Sequence, residues 1–476
     1  MSGENGGKSL LSLDEVLEAT GGVHVLGSGE FFITGVQTDS RNVTEGTLFV
    51  PLLGEKQDGH DYIPQALEKG ASSVFIAMSS YEKRPDYFTG ISQSNPDVIF
   101  IAVENTMHAL QKAAARYVEH FPDLIRIGVT GSSGKTTAKE ILASILSQKY
   151  NVVTNPGNLN SETGLPLSVF AIREGHKVGL FEMGMNRRNE MAEIASVLKP
   201  RFALVTNIGT AHIGILGSRQ AIAEEKAHVF DYFNSFGTAF IPRDDDFADF
   251  LADSVDGNVV FYGDGLDQNV KFVKDEGLDG TEFSVDGISC RIKLPGSYNY
   301  KNALGAVAVA RLLGVSSMEI KAGLEKMEGA FGRSEVLHGK YTVVQDCYNA
   351  NPDSMEKAIE LVSSLETKDR KVFVLGDMLE LGDASCEAHT KTGELCSHSG
   401  ADAFYFVGAE MKAAYDKLLS DNPSAFAKYY PESSDESIRQ IAQDIQKTMP
   451  DSTCVLIKGS RGMRLERLTP LLQEES

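Results

Sequence analysis

The chain lacks most of what would tie it to secretion, a zinc framework or a membrane. Five cysteines occur in 476 residues, an odd number with no Cys-x-x-Cys pair. Neither a disulfide framework nor a zinc site is expected, and reduced thiols in a cytoplasm are. The opening MSGENGGKSLLSLDEV has no basic segment followed by an apolar one, so no secretory signal is expected there. No run approaches the roughly 18 apolar residues of a membrane span, which argues against membrane insertion. Basic residues are outnumbered 45 to 66, for a net charge of −21. That balance argues against a nucleic-acid partner, because a phosphate backbone demands clustered Lys and Arg. It leaves room for a nucleotide, for which a local basic site is enough. Short-period repeats, low-complexity linkers and coiled-coil heptads are missing as well.

What is present is material for several cores. Hydrophobic residues make up 42% of the chain, and domains of about 100–200 residues suggest three of them. Up to about residue 120, strand signals at Phe31–Val36, Thr47–Pro51, Ser73–Ile76 and Val98–Val103, with helices near Ser12–Ala19 and Tyr62–Lys69, predict a small α/β domain. From Arg126 a regular alternation begins. Strands at Val152–Thr154, Val178–Glu182, Ala203–Asn207 and Ala239–Pro242, separated by helical stretches, predict a parallel sheet with crossover helices. Asp267–Leu294 reads as an antiparallel hairpin region attached to that sheet. From Arg333, strands at Tyr341–Cys347, Lys371–Leu375, Ala403–Val407 and Thr453–Ile457 alternate with helices at Asp353–Leu365, Ala409–Leu419 and Asp435–Thr448, a doubly wound pattern. The expected division is 1–122, 123–332 and 333–476, and clefts between such domains are where ligands sit.

One stretch carries chemistry in its spacing. GVTGSSGKTTAKE (128–140) follows a buried strand reading at 124–127 and precedes the helical stripe Ile141, Leu142, Ile145 and Leu146. Thr130, Gly131, Ser132, Ser133 and Gly134 form a small-residue loop whose amides can surround phosphate oxygens at a helix N-terminus. Lys135 reaches the β- and γ-phosphates, and the Thr136 hydroxyl, followed by Thr137, ligates Mg²⁺. The usual spacing has a glycine at position 129; Val129 stands there and Gly128 comes one residue early, so this is a variant P-loop.

Other strand ends point to the same edge. Glu182 closes a strand after the P-loop helix, where a carboxylate faces a Mg²⁺–nucleotide. His212 follows the next strand, in TNIGTAH, and makes a second metal site plausible in chemical terms. AIAEEKA (221–227) reads as a solvated charged face. In PGSYNYKN (295–302), Asn299 and Asn302 could hydrogen-bond a base edge or cap a helix. In the last block, DCYNANP (346–352), GDMLELG (376–382) and KGSRG (458–462) are three polar strand ends on one edge. Asn351 or Asp353 could equally be helix caps.

Together these motifs resemble the Mur ligases of bacterial cell-wall synthesis over essentially the whole chain, with TGSSGKTT as the family's P-loop. Within the family, TDSRNVTEGTLFVPLLGEKQDGHDY, and GNLNSETGLPLS paired with DCYNANPDSM and LGDMLELG, are similar to the member that adds a dipeptide. The resemblance implies ATP-driven joining of D-alanyl-D-alanine to UDP-N-acetylmuramoyl-tripeptide through an acyl phosphate, by a cytoplasmic monomer using ATP and two Mg²⁺ ions. It implies a three-domain α/β fold with a small N-terminal substrate domain, a central P-loop ATPase domain and a Rossmann-like C-terminal domain presenting the dipeptide.

Position by position, the resemblance puts Ser40 and Arg41 on the uridine nucleotide sugar, and Asn158, Asn160 and Thr163 on substrate at the domain junction. Thr136, Glu182 and His212 would bind magnesium. Lys226 matches a carbamylated lysine, whose anionic form would support a second ion, against the solvated-face reading above. Asn299 would contact adenine, Arg333 the γ-phosphate and Asp346 the ribose, while Asn349, Asn351, Lys458, Ser460 and Arg461 would serve the dipeptide. The chain departs from the family at Tyr298, where His is usual, at Arg187-Arg188-Asn189, and at Gly214, where Glu is more common. The alternatives are a sister ligase adding one amino acid, folylpolyglutamate synthetase, and a nucleotide-binding regulatory module that makes no bond.

Overall fold

A computed structural model describes residues 8–473 apart from 55, 56, 328, 330, 367 and 368. The first seven residues of the opening segment, and two residues of the GEKQDGHDY stretch, therefore lie outside the described residues. The fold is mixed α/β, with four sheets among the described residues.

The central sheet positions the site. Its six strands run Gly257–Tyr262, Gly237–Pro242, Phe202–Val205, Ile125–Thr130, Val178–Glu182 and Val152–Thr154 in spatial order, and every pairing is parallel. Ile125–Thr130 lies between the strands ending in Glu182 and Val205, with Val129 opposite Glu182 and Thr130 opposite Val205. Three chain segments thus leave the sheet at one level, and their loops share one crevice. Helices cover both faces, so the inner strands are apolar throughout rather than alternating. On one face Ile141, Leu142 and Ile145 of the P-loop helix pack with Ala303, Ala306 and Val307 of helix Ser297–Leu312. The three-stranded antiparallel sheet Val270–Asp275, Thr281–Val285 and Ile288–Ile292 joins this core through Phe283, Val285 and Ile292. Its attachment is side-chain packing, not strand pairing.

In the first block, Val23–Leu26 runs antiparallel at the edge of an otherwise parallel sheet ordered Ile99–Val103, Ala71–Ala77, Thr47–Phe49, Gly35–Gln37. Helix Thr106–Val118 shares one apolar cluster with the central block. The last block orders its strands Glu335–Leu337, Thr342–Asp346, Cys454–Lys458, Lys371–Gly376, Ala403–Val407 and Ala427–Tyr430, parallel except at the first edge. Among the described residues no helix is long and apolar enough to cross a membrane.

Several expectations needed correction. Phe31–Val36 is a strand only from Gly35, because Ile33 pairs instead with the N-terminal segment, through Leu10 N to Ile33 O and Ile33 N to Ser9 Oγ. The edge strands Val23–Leu26, Gly257–Tyr262, Glu335–Leu337 and Ala427–Tyr430 escaped notice: they are short or half-exposed, with little apolar run to read. AIAEEKA is not a solvated face, since Glu225 and Lys226 are buried and only Glu224 is exposed.

Candidate active site

The P-loop is built on two glycines at positive φ, where a side chain would be strained. Gly131 has φ +144°, and a Cβ there would lie 1.9 Å from Thr206 Oγ1. Gly134 has φ +79°, and its Cβ would meet Asn302 Nδ2 at 2.8 Å. Val129 stands inside the strand, fully buried, so the loop begins after it and the missing glycine is not needed. The loop is pinned from the neighbouring strand end: Thr206 Oγ1 donates to Ser133 O at 2.6 Å, while Asn207 Oδ1 accepts from Ser133 N at 3.1 Å. No side chain caps helix Lys135–Leu146 at Gly134, so its first amides, which have no partner within the helix, remain for an anion. Lys135 is half-buried and donates to Gly131 O at 3.0 Å. Burial lowers its pKa, opposed by Glu182 and reinforced by Arg333.

Behind the loop sits an oxygen- and nitrogen-donor set. Glu182 accepts from Thr136 Oγ1 and from Asn160 Nδ2, both at 2.6 Å. Asn155, fully buried, fixes the Glu182 backbone through both ends of its amide, at 2.8 and 3.0 Å. The His212 Nδ1 is buried and has no hydrogen-bond partner; Glu380 approaches it at 3.5 Å, too long for a directed bond. Burial, then Lys135 and Lys226, depress the His212 pKa to about 4, which leaves a neutral imidazole with a free lone pair at pH 7. The Glu182 carboxylate and the Thr136 hydroxyl are oxygen donors that suit a hard divalent cation completing its shell with water and phosphate, and the neutral His212 ring adds a nitrogen donor on the same cavity. Among the described residues no three His, Cys, Asp or Glu side chains cluster as a dedicated metal cage. Lys226 is buried, and burial, then Lys135, push its pKa well down, against Glu225 and Glu182. Burial beside another cation therefore disfavours the ammonium form of Lys226.

The opposite wall comes from the last block. Asp346 and Lys458 are register partners on adjacent strands and pair at 2.7 Å. Arg333 stacks on Tyr348, 4.1 Å from the ring centroid, and Arg461 lies 5.7 Å from the same ring. Asn351 caps helix Pro352–Ser363, as one reading of it had it, and also donates to Ser133 Oγ at 3.2 Å. Asn299 donates to Pro295 O and Asn302 to Asn299 Oδ1, which orients both amides beside the P-loop.

These walls enclose one cavity of about 570 Å³. It brings together Ser132 to Lys135, Asn158, Asn160, Glu182, His212, Asn299, Asn302, Arg333, Asp346, Asn349, Asn351, Lys458 and Arg461. Thr136 and Lys226 are buried, and Thr130, Gly131, Thr136 and Lys226 do not line it. Ser40, Arg41, Thr163 and Ser460 stand apart from it. Ser40 donates to Gln65, and Arg41 is exposed and paired with Asp39. Thr163 contacts Met107 of the first block, and Ser460 accepts from Leu379 N. Asn155, Asn207 and Tyr348 were not singled out from sequence. Asn207 had a signal, as the residue ending a strand beside the P-loop; Asn155 lies a full crossover away and had none.

Family profiles match the chain in three stretches: Mur ligase family, catalytic domain over 32–118, Mur ligase middle domain over 129–310, and Mur ligase, glutamate ligase domain over 332–461. The UDP-N-acetylmuramoyl-tripeptide–D-alanyl-D-alanine ligase of Treponema pallidum (strain Nichols) is 43% identical over 98% of the chain and 100% of its own length. The chain belongs to the Mur ligase family. The enzyme of the same name from Bacillus subtilis (strain 168) is 31% identical over 93% of each chain. Among solved structures, MurF from Acinetobacter baumannii superposes with a TM-score of 0.84 at 30% identity, covering 98% of this Mur ligase and 99% of that chain. MurF from Thermotoga maritima in complex with ADP gives 0.75 at 27% identity over 92% and 97%.

Proposed function

We propose that this Mur ligase joins D-alanyl-D-alanine to UDP-N-acetylmuramoyl-tripeptide at the expense of ATP, yielding the pentapeptide nucleotide for peptidoglycan synthesis. The observation that carries this reading is what faces the P-loop: the uncapped first amides of helix Lys135–Leu146 and the Lys135 ammonium share one cavity with Arg333 and Arg461 of the last block, a setting for a transferring phosphoryl group. The proposed division of labour is the nucleotide sugar on 1–122, with Ser40 and Arg41, ATP on 123–332, and the dipeptide on 333–476. Full-length similarity to ligases of this name supports the substrate assignment.

The tripeptide's terminal carboxylate attacks the γ-phosphorus of ATP, and ADP departs. The free amine of D-alanyl-D-alanine then adds to the acyl carbonyl, and phosphate leaves with one carboxylate oxygen. A carboxylate is a poor electrophile because oxide is a poor leaving group, and phosphorylation supplies a better one. The amides of Gly134 to Thr137 and the Lys135 ammonium hold the phosphates, and Arg333, braced on Tyr348, meets the γ-phosphate charge from the opposite wall. Asn299 and Asn302 orient the base, Asp346 the ribose, and Asn158, Asn160 and Thr163 the acceptor. Asn349, Asn351, Lys458 and Arg461 face the dipeptide, with Ser460 shaping their loop. Thr136, Glu182, His212 and a carbamylated Lys226 would hold two Mg²⁺ ions, which neutralise phosphoryl charge when bound. Bringing carboxylate, phosphorus and amine together is the larger share of the acceleration.

The test is phosphate release from ATP with each substrate omitted in turn. Release that requires both the UDP-muramoyl tripeptide and D-alanyl-D-alanine supports the reading. Release with a single amino acid in place of the dipeptide would move the chain to a sister ligase, and no release under any combination would leave a nucleotide-binding module.

A further inference from the structure

The P-loop helix buries a lysine that does not line the cavity. Helix Lys135–Leu146 sends Ile141, Leu142 and Ile145 into an apolar core. Lys139, one turn beyond Lys135, is nevertheless only 1% exposed. A buried amine is costly unless its donors are used. Lys139 Nζ donates to Asn155 O at 2.9 Å and meets Glu140 Oε1 at 2.8 Å. Glu140 is exposed on the same helix, so water could serve it as well. The bond that burial secures is the one to Asn155.

Asn155 opens an irregular loop between strand Val152–Thr154 and helix Gly164–Val169. That loop carries Asn158 and Asn160 to the cavity. With no strand pairing of its own to hold it, the loop is tied back through Asn155, whose Nδ2 donates to Leu159 O at 2.8 Å and to Glu182 O at 3.0 Å. Asn160 is fixed from the next strand end, where its carbonyl accepts from Gly184 N at 2.9 Å and its Nδ2 donates to Glu182. The Asn155 side chain is thus committed to Glu182 and Leu159, and its main-chain oxygen to Lys139. The P-loop helix reaches this loop at two points, Thr136 through Glu182 and Lys139 through Asn155.

We propose that Lys139 is a positioning residue for the tripeptide nucleotide. It ties the loop bearing Asn158 and Asn160 to the helix that holds the phosphates, so that the tripeptide carboxylate meets the γ-phosphorus in register. This rests on the reading that these two asparagines hold the UDP-muramoyl tripeptide. Lys139 touches neither substrate, and the P-loop keeps its own ties to Thr206 and Asn207. Its loss therefore acts on the tripeptide and spares ATP.

Steady-state kinetics, paired with hydrogen exchange of the full chain, tests this. Lys139→Met keeps the bulk and deletes the donor, and losing one such bond shifts an equilibrium by roughly tenfold. The expected result is a KM for UDP-muramoyl tripeptide raised about tenfold, an unchanged KM for ATP, and faster amide exchange over residues 157–160. Lys139→Gln, one atom shorter but still a donor, is expected to fall between the parent and Lys139→Met in both readouts. It keeps the test decisive should Lys139→Met fold poorly. In an Asn160→Ala background, Lys139→Met should raise that KM less than in the parent, because both residues act through one loop. A lysine that served only the core would change the melting temperature and leave exchange and KM unmoved, and that result overturns the proposal. Equal rises in KM for ATP and for the tripeptide overturn it too. If the parent chain forms no product, the ligase reading fails, whereas the exchange comparison still decides whether Lys139 holds the loop.

Discussion

Replacing Lys135 with alanine separates binding from folding, because the structure assigns opposite signs to the two. The ammonium sits over the loop on Gly131 O and faces a cavity that takes phosphates. Losing a charged hydrogen-bond donor costs about 1.5–3 kcal/mol, or roughly 10- to 150-fold in nucleotide affinity. Charge that develops during transfer adds to this: removing one donor from such a site typically lowers kcat by about 10²–10³. Stability is expected to move the other way. Burial lowers the pKa of Lys135 itself, so its ammonium is held at a desolvation cost, and on its loss the melting temperature should hold or rise. Calorimetric titration with a non-hydrolysable ATP analogue, thermal unfolding and phosphate release measure the three quantities on one sample. Unchanged nucleotide affinity together with a lower melting temperature would refute the assignment, since it would make Lys135 a structural residue.

Gly131→Ala should abolish nucleotide binding in a chain that still folds, because the added methyl enters Thr206 Oγ1 and breaks the contact that pins the loop; retained binding would contradict the loop geometry. Asn155→Ala leaves the Glu182 backbone groups unsatisfied and is expected to cost about 1–3 kcal/mol in denaturant unfolding, with a further loss of Mg²⁺-dependent activity. Lys226→Met removes a buried amine of depressed pKa, so stability should not fall while activity does, and stripping CO₂ from the buffer should slow the parent chain but not the variant. His212 is held at about 4 against 6.5 unfolded. The unfolded chain binds the extra proton first, so stability is full above about 6.5 and falls as pH drops toward 4, by about 3 kcal/mol in all. His212→Gln should flatten that slope in acid titrations of unfolding.

The central sheet was readable because its strands are apolar throughout and punctuated by Gly and polar residues at their ends, as in 124–131. The P-loop was readable because Gly-Lys-Thr-Thr has few structural uses other than phosphate binding. Burial, in contrast, is not written in local composition. Glu225 and Lys226 look like a wet helix face, yet Glu225 accepts from Asn189 N and Met191 N of a loop some 35 residues away. Asn155 gains its role only when the crossover brings it beside Glu182, and Asp353, read as a possible helix cap, bonds across a junction to Thr210. Such residues are set by tertiary approach, which no window of sequence contains.

The most direct measurement follows the oxygen. With the terminal carboxylate of the UDP-muramoyl tripeptide labelled with ¹⁸O, turnover with ATP and D-alanyl-D-alanine should deliver one labelled oxygen into the released phosphate. Unlabelled phosphate alongside amide product would contradict an acyl phosphate, and with it the account of why a P-loop and an amide-forming cavity share one crevice.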